Sequence, residues 1–532
     1  MKKHSTLTYL KNIIFPCFFF SALTGIFTGA FIFGFKYVSN LVIDFSTDCY
    51  TYLSLNPLWI LLAIVIIVIL AILMSVIGKY CPNTRGGGIP TAIAILRGLF
   101  SFRWLRNLLG TCIASLSTFF IGVPLGNEGP CVQMGTAIGR GTVGIFGRKN
   151  RAWDRYVMTG GASCGFAVAT GAPVSGIFFA LEEAHQRFSP TIVLTACTSV
   201  MFGVATTYLL SQWTGMSVSL FGALEVVAFS LKQIWIPIVI GLAIGLFAVL
   251  FGKMYQFMNR LIVKKGKKIP SLVKILIIYF ITFGMGFVST HFIGTGHHLI
   301  LEIMEGKIVW YLLFAILLFR SVLSIAANQS GLTGGLFIPI LSLGAILSSL
   351  LAKGFISLGL VEEQYYLAIV MTGIAACLGG MIKAPITAIV FSIEALGGLT
   401  NLLYIVIAVT ISYLITEIFK ISSINESVLE DKMEEMHEGK QRLVIDTHVV
   451  VQANAFVIGK SVRDIFWPNN LFVLSVKPSN KISMIDANGG KTMHEGDILH
   501  IRFQTYDLEQ TKKELTDFIG EQIWEEDLVP LG

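Results

Sequence analysis

Apolar runs long enough, or nearly long enough, to cross a bilayer recur along the first four-fifths of the chain. They occupy residues 13–35, 58–77, 108–123, 156–181, 192–210, 234–251, 273–288, 309–325, 336–351, 366–381, 386–396 and 402–419. Several fall short of the roughly 20 residues that a straight span needs. Many are interrupted by Gly or Pro, so tilted and half-crossing helices are expected. Beyond residue 419 the pattern changes. Residues 426–441 form a charged linker, and period-two alternation in 442–451 predicts a strand. Further strands are expected over 471–476, 481–485 and 497–504, with a short helix over 459–465 and a turn at Asn488-Gly489-Gly490. A last helix is expected over 507–519, opened by Asp507. The predicted architecture is an all-α polytopic membrane protein followed by a small α+β cytosolic domain, with boundaries at 1–425, 426–441 and 442–532.

Composition supports this division. The chain is 54% hydrophobic and 13% charged, against about 25% charged in soluble domains. The net charge of +7 calls for no nucleic acid, because much of the basic excess lies at membrane ends. Lys2, Lys3 and Lys11, with Lys264, Lys265, Lys267 and Lys268, put the N-terminus and a later loop on the cytoplasmic side of the cell membrane. Run 13–35 is too long for a signal-peptide core and has no cleavage site. The eight cysteines are scattered without metal or disulfide spacing. No nucleophile–base pair stands out, so an enzyme is not expected, and no cofactor or metal is implied.

The membrane part repeats itself. Thr159-Gly160-Gly161-Ala162-Ser163-Cys164 matches Thr372-Gly373-Ile374-Ala375-Ala376-Cys377, and Ala172-Pro173-Val174-Ser175 matches Ala384-Pro385-Ile386-Thr387. Glu182-Glu183-Ala184 then resembles Ile393-Glu394-Ala395. Two halves, about 10–220 and 230–425, follow from these blocks. Transporters with helices broken at corresponding points of two halves bind their ion at the repeat interface.

Three glycine-rich openings carry the chemistry: Gly86-Gly87-Gly88-Ile89-Pro90, Gly126-Asn127-Glu128-Gly129-Pro130 and Gly335-Leu336-Phe337-Ile338-Pro339. Each puts glycine where a helix begins. Unpaired N–H groups and the positive dipole end make such starts anion sites. Glu128 is a carboxylate at membrane depth, costing about 2.5–3.5 kcal/mol on insertion scales, which marks a functional group. A helix-end Glu reaching the headgroups, and glycines serving only close helix packing, are the ordinary alternatives.

The ordered triplet resembles the GSGIP, G(K/R)EGP and GxFxP signatures of the CLC family of chloride channels and proton/chloride exchangers, over about residues 10–425. The resemblance implies a homodimer with one pore per subunit, each subunit an inverted repeat. It makes Glu128 the outer gating glutamate and Glu183 the inner proton-transfer glutamate, with Glu182 beside it. It implies anion ligation around Gly87, Gly88, Ile89, Asn127 and Gly129, and by the N–H groups of Phe337 and Ile338 next to Leu336. The sequence departs from the pattern three times. Gly87 stands for a serine, Asn127 for Lys or Arg, and Asn425 for a tyrosine that binds the anion. Losing two hydroxyl donors weakens the central site, at about 1.5–3 kcal/mol for each bond to a charged partner. Proton-coupled chloride exchange is the expected function. The alternatives are a passive gated chloride channel and an exchanger for fluoride or nitrate.

The C-terminal module, through Val457-Ile458-Gly459-Lys460-Ser461-Val462 and Gly496-Asp497-Ile498-Leu499, resembles the TrkA-C (RCK C-terminal) regulatory domain. That resemblance implies a dimerising domain whose usual partner is a cyclic dinucleotide, here cyclic di-AMP. Lys460, Arg463, Phe466, Trp467 and Lys477 would supply stacking surface and phosphate-pairing charge. The competing reading puts those aromatics in the module's own core or dimer seam.

Overall fold

The computed structural model describes residues 14–146, 151–222, 224–436, 443–453, 455–462, 465, 467, 471–479, 485–486 and 490–522. The membrane part is helical: α1 Phe15–Leu55, α2 Ile60–Tyr80, α3 Ile89–Leu96, α4 Trp104–Ile121, α5 Glu128–Phe146 and α6 Arg151–Thr170. It continues with α7 Pro173–Phe178, α8 Pro190–Thr214, α9 Trp235–Asn259, α10 Ser271–Val288, α11 His297–Met304 and α12 Trp310–Gln329. The last are α13 Phe337–Ser357, α14 Tyr366–Ile382, α15 Pro385–Leu396, α16 Leu402–Ile418 and α17 Ile424–Met436. Ten of the described helices, some extended by an adjoining short turn, are long and apolar enough to cross a membrane.

The departures from the predicted runs have local causes. Run 156–181 breaks between α6 and α7, because Pro173 cannot continue the preceding helix. Run 13–35 extends to the 41 residues of α1, whose small residues let neighbours approach. A Cβ on Gly25 would come within 2.3 Å of the Ser199 carbonyl oxygen on α8, and one on Gly29 within 2.5 Å of that of Gly203. In lipid, where apolar surface supplies little drive between helices, such small-residue seams are what hold them together. Helix α17 carries the chain through much of the segment expected as linker.

The two halves hold each other through reciprocal caps. Glu182 Oε1 accepts from the Ile386 N–H at 3.0 Å, and its Oε2 accepts from the Thr387 N–H and hydroxyl, both at 2.7 Å. In mirror fashion, Glu394 accepts from the Val174 and Ser175 N–H groups, both at 2.8 Å, and from the Ser175 hydroxyl at 2.9 Å. Each carboxylate thus closes the N-terminus of the other half's proline-led helix. Counted from Pro173 and Pro385, Glu182 is the counterpart of Glu394. This moves the third repeat block by one residue from the alignment with Glu183.

The C-terminal module is an antiparallel sheet in the order β1-β4-β2-β3, with β1 Leu443–Val450, β2 Phe472–Lys477, β3 Ile485–Asp486 and β4 Ile498–Thr505. Helix α18, Leu508–Ile519, covers it and starts as expected, with Asp507 accepting from the Gln510 N–H at 3.1 Å. Of the helix expected over 459–465, Gly459 to Ser461 are not helical, Val462 is in a 3-10 turn, and 463–464 lie outside the described residues. Gly459 has φ +78°, a left-handed turn, after which Lys460 and Val462 bond to Met493 and Lys491 and Ser461 bridges Thr492. Residues 481–484 and 488–489 lie outside the described residues. The module rests on α6: Arg155 pairs with Glu514 at 2.9 Å, and the Phe456 ring lies 5.2 Å from Trp153 and 5.8 Å from Phe518.

Candidate functional site: three helix starts and two buried carboxyls

The three glycine openings meet. Gly126 donates to the Gly335 carbonyl at 2.7 Å and accepts from the Gly335 N–H at 2.8 Å. Gly88, with φ +119°, presses against Gly129, where a Cβ would lie 2.9 Å from the Gly129 Cα. A Cβ on Gly129 would in turn lie 2.8 Å from the Gly335 Cα. Backbone touches backbone at all three positions, so only glycine fits. The starts of α3, α5 and α13 converge there, in an interior where a helix N-terminus can attract an anion without a lysine or arginine to trap it.

Glu128 is wholly buried at the start of α5. Neither carboxyl oxygen makes a hydrogen bond of good geometry, although the backbone N–H groups of Glu128 itself and of Ile338 face the carboxyl. The carboxyl bends back along the opening: a Cβ on Gly126 would stand 2.5 Å from Glu128 Oε2 and 3.4 Å from the Ile338 nitrogen. Glu128 therefore lies beside the first N–H groups of α13. Asn127 is buried, its carboxamide oxygen without a partner among the described residues. Lys36, buried on α1 with its ammonium 3.3 Å from the Val218 carbonyl oxygen, interacts electrostatically with Glu128.

Gln133 is a residue the sequence reading did not single out. It lies on α5, five positions after Glu128, and is wholly buried. Its Oε1 accepts from the Gly88 N–H at 2.9 Å, and its Nε2 donates to the Asn83 carbonyl and to Asn107 Oδ1, both at 2.9 Å. A Cβ on Gly87 would fall 2.8 Å from Gln133 Oε1 and 2.7 Å from the Thr84 carbonyl. The Gln133 carboxamide thus occupies space beside Gly87. The Gly88 amide is already bonded, whereas Ile89, Leu336, Phe337 and Ile338 line the buried meeting point. An uncharged amide in an otherwise apolar, small-residue helix start was the signal available.

Glu183 sits in the π-helical turn Phe179–Ala184 that continues α7, buried and accepting on Oε1 from Asn425 Nδ2. Arg97 fastens the turn from outside, donating to the Ala184 carbonyl at 3.1 Å and to the Glu183 carbonyl at 3.3 Å while pairing with Glu426 at 2.7 Å. Between the α13 start and this turn lies an aromatic cluster. Phe337 meets Phe166 at 5.1 Å and Phe391 at 5.4 Å, and Phe166 stacks on Phe179 at 5.0 Å. Glu182 is a helix cap, as described above.

Beside the first opening, Lys432 on α17 donates to the Thr91 hydroxyl. Burial pushes its ammonium down to about 7, while Glu435 acts in the opposite direction. Arg85 and Lys274 share a small cavity with it, of about 120 Å³. Among the described residues no group of three or more His, Cys, Asp or Glu side chains could hold a metal ion.

In the module, Trp467 is buried in the core, donating to the Val462 carbonyl at 3.1 Å and stacking near Phe518. Lys460 is buried with its ammonium over the rings of Phe456 and Trp153. Both are committed to packing, and Lys477 ends β2, half-buried. Arg463 and Phe466 lie outside the described residues.

Residues 69–417 match the family model of the voltage-gated chloride channel. The chain belongs to the CLC family. Its function is CLC-type anion transport. Among solved CLC structures, it resembles that of a slow cyanobacterial Cl-/H+ antiporter, with 25% identity and a TM-score of 0.70, over 79% of this chain and 99% of that one. A eukaryotic CLC transporter shares the fold at 17% identity and TM-score 0.65, over 80% of this chain and 75% of that one. A CLC-type fluoride/proton antiporter shares it at 21% identity and TM-score 0.62, over 76% and 96%.

Proposed function

We propose that this CLC protein is a proton-coupled anion exchanger, with chloride as the expected anion and Glu128 as the gate. The observation that carries the reading is the Glu128 carboxyl, buried without a hydrogen bond of good geometry beside the N–H groups that begin α13. A carboxylate there takes the place of the anion. Protonation removes its charge and its hold on the helix start, and the side chain can swing aside. Glu183 would exchange protons from the side that carries the C-terminal module, which the basic loops assign to the cytoplasm. Asn425 fixes that carboxyl in one orientation. The similarity to a Cl-/H+ antiporter supports coupling, and the protein is expected to work as a homodimer with both termini cytoplasmic.

A second reading, a passive gated channel, is favoured by one feature: Gly87, crowded by Gln133, and Asn425 offer a central anion no hydroxyl donor. Flux from proteoliposomes under an imposed chloride gradient separates the two readings when anion and proton are followed together. Proton movement against its own gradient at a fixed ratio to chloride selects exchange. Chloride flux without it selects the channel, and fluoride or nitrate outrunning chloride reassigns the substrate.

The C-terminal module is proposed as a regulatory domain of the TrkA-C kind, with a cyclic dinucleotide such as cyclic di-AMP as the ligand to test by calorimetry.

A further inference from the structure

A cavity of about 690 Å³ opens where the module meets the membrane part, between the ends of α2, α4, α5 and α6 and the side of α18 that carries Gln510, Glu514 and Phe518. This is within the size range of small-ligand pockets, about 300–1,000 Å³, and far larger than one chloride ion requires. Four arginines line it: Arg103, Arg106, Arg140 and Arg155. The carboxylates on its wall are Asp154, 3.8 Å from Arg140, and Glu514, 2.9 Å from Arg155. Arg103 and Arg106 are exposed, and among the described residues neither has an ion-pair partner. The charge at this wall is therefore uncompensated.

Three of the arginines are also prearranged. Arg106 lies 6.0 Å from the centre of the Tyr80 ring, Arg140 5.4 Å from that of Phe102, and Arg155 5.8 Å from that of Phe518. A guanidinium over a ring keeps its in-plane N–H donors available and loses less freedom when it binds. Forked donors of this kind suit the paired oxygens of a phosphate, whereas a halide uses only one point of contact.

We propose that this cavity is a binding site for a phosphate ester, held by Arg103, Arg106 and Arg140, at the junction of the CLC fold and its C-terminal module. Glu514 already holds Arg155, so a bound phosphate draws on the same cluster that docks α18 onto α6. One turn along α6, Thr159 bonds to His185 at 2.8 Å, two residues beyond Glu183. Occupancy of the cavity is thereby connected to the inner carboxyl by a continuous run of packed groups. The site stands apart from the module residues discussed above, since neither Lys460 nor Trp467 lines it.

Phosphate esters reach such a place from solution or from a lipid headgroup, and the test separates these sources. Full-length protein in neutral detergent is titrated calorimetrically with pyrophosphate and with ATP, up to about 1 mM, which is well above a micromolar Kd. The same protein and the Arg103→Gln/Arg106→Gln variant are reconstituted into phosphatidylcholine vesicles with and without phosphatidylglycerol. Heat on titration, with affinity falling at least about tenfold in the variant, as the loss of charge-assisted bonds requires, assigns a soluble phosphate. No heat, but a phosphatidylglycerol-dependent chloride flux that the variant loses, assigns the headgroup. Binding that the variant leaves unchanged overturns the proposal, as does the absence of both heat and lipid dependence. The calorimetric arm does not depend on transport, so it stands or falls apart from the exchanger reading.

Discussion

Gln133 and Gly88 share a hydrogen bond of 2.9 Å, from the backbone amide at the start of α3 to a carboxamide on α5. The bond uses the donor that an anion would otherwise meet, and the same oxygen crowds the space beside Gly87. Gly87→Ser alone should therefore not create a working hydroxyl ligand. Overpacking of this kind costs about 1–3 kcal/mol, so the variant should melt earlier, with its chloride-to-nitrate flux ratio nearly unchanged. Adding Gln133→Ala makes room, and the double variant should favour chloride a few-fold more, in line with about 1 kcal/mol for one hydrogen bond. A few-fold shift from Gly87→Ser alone would show that Gln133 yields its place.

The proposed gate, Glu128, can be pushed without touching its carboxyl. A methyl group at position 126 would stand 2.5 Å from Glu128 Oε2, and the movable partner is the end of the Glu side chain. Gly126→Ala should raise anion flux several-fold and weaken its acid activation. Glu128→Gln should abolish proton transport and leave anion flux independent of pH. The measurement is paired chloride and proton flux at acid and neutral pH. Proton coupling retained in Glu128→Gln would remove Glu128 from the gate.

Glu183 and Asn425 predict a different signature. Glu183→Gln should stop proton movement while chloride still flows. Asn425→Ala removes one bond to the carboxyl, worth about 1.5–3 kcal/mol, so protons moved per chloride should fall by about tenfold. Equal losses of proton and chloride flux in both variants would mark a folding defect instead of a proton route.

Lys432 gives a pH dependence of its own. Burial brings its ammonium down to about 7, so it is charged below that pH and neutral above it. A cation beside the α3 opening attracts anions, so flux should decline as pH rises through about 7. The effect is visible once Glu128→Gln removes the gate's own response. A Glu128→Gln/Lys432→Met pair should be flat across this range. A decline that persists in the pair belongs to another group.

The membrane fold was largely legible, because apolar runs and proline-broken helix starts follow from what lipid demands of a backbone. The glycines at 88, 126, 129 and 335 could be read as close approaches, since glycine leaves room for another chain. Gln133 could not, because its role depends on a neighbour 45 positions earlier. The bond from Asn425 to Glu183 was likewise hidden, since the two lie 242 positions apart. In the module the strands expected over 442–451, 471–476 and 497–504 were legible, the first from its alternation. At the start of the 459–465 segment, Gly459 and Lys460 are held out of a helix by bonds to Met493. Lys460 and Trp467 could be read only as exposed or packed, and α6, lying under the module, decides for Lys460.

The exchange of caps between Glu182 and Glu394 sets an order in time. When the first half emerges from synthesis, the Val174 and Ser175 N–H groups await an acceptor more than two hundred residues downstream. Until then, the start of α7 must borrow water or headgroup oxygens, since unpaired amides are costly in lipid. The first half therefore cannot complete its own helix start before the second is made, and the second needs Glu182 in return. A chain arrested between the halves would be left as an unfinished insertion intermediate, open to capture by membrane quality control, whereas two halves supplied together could complete one another.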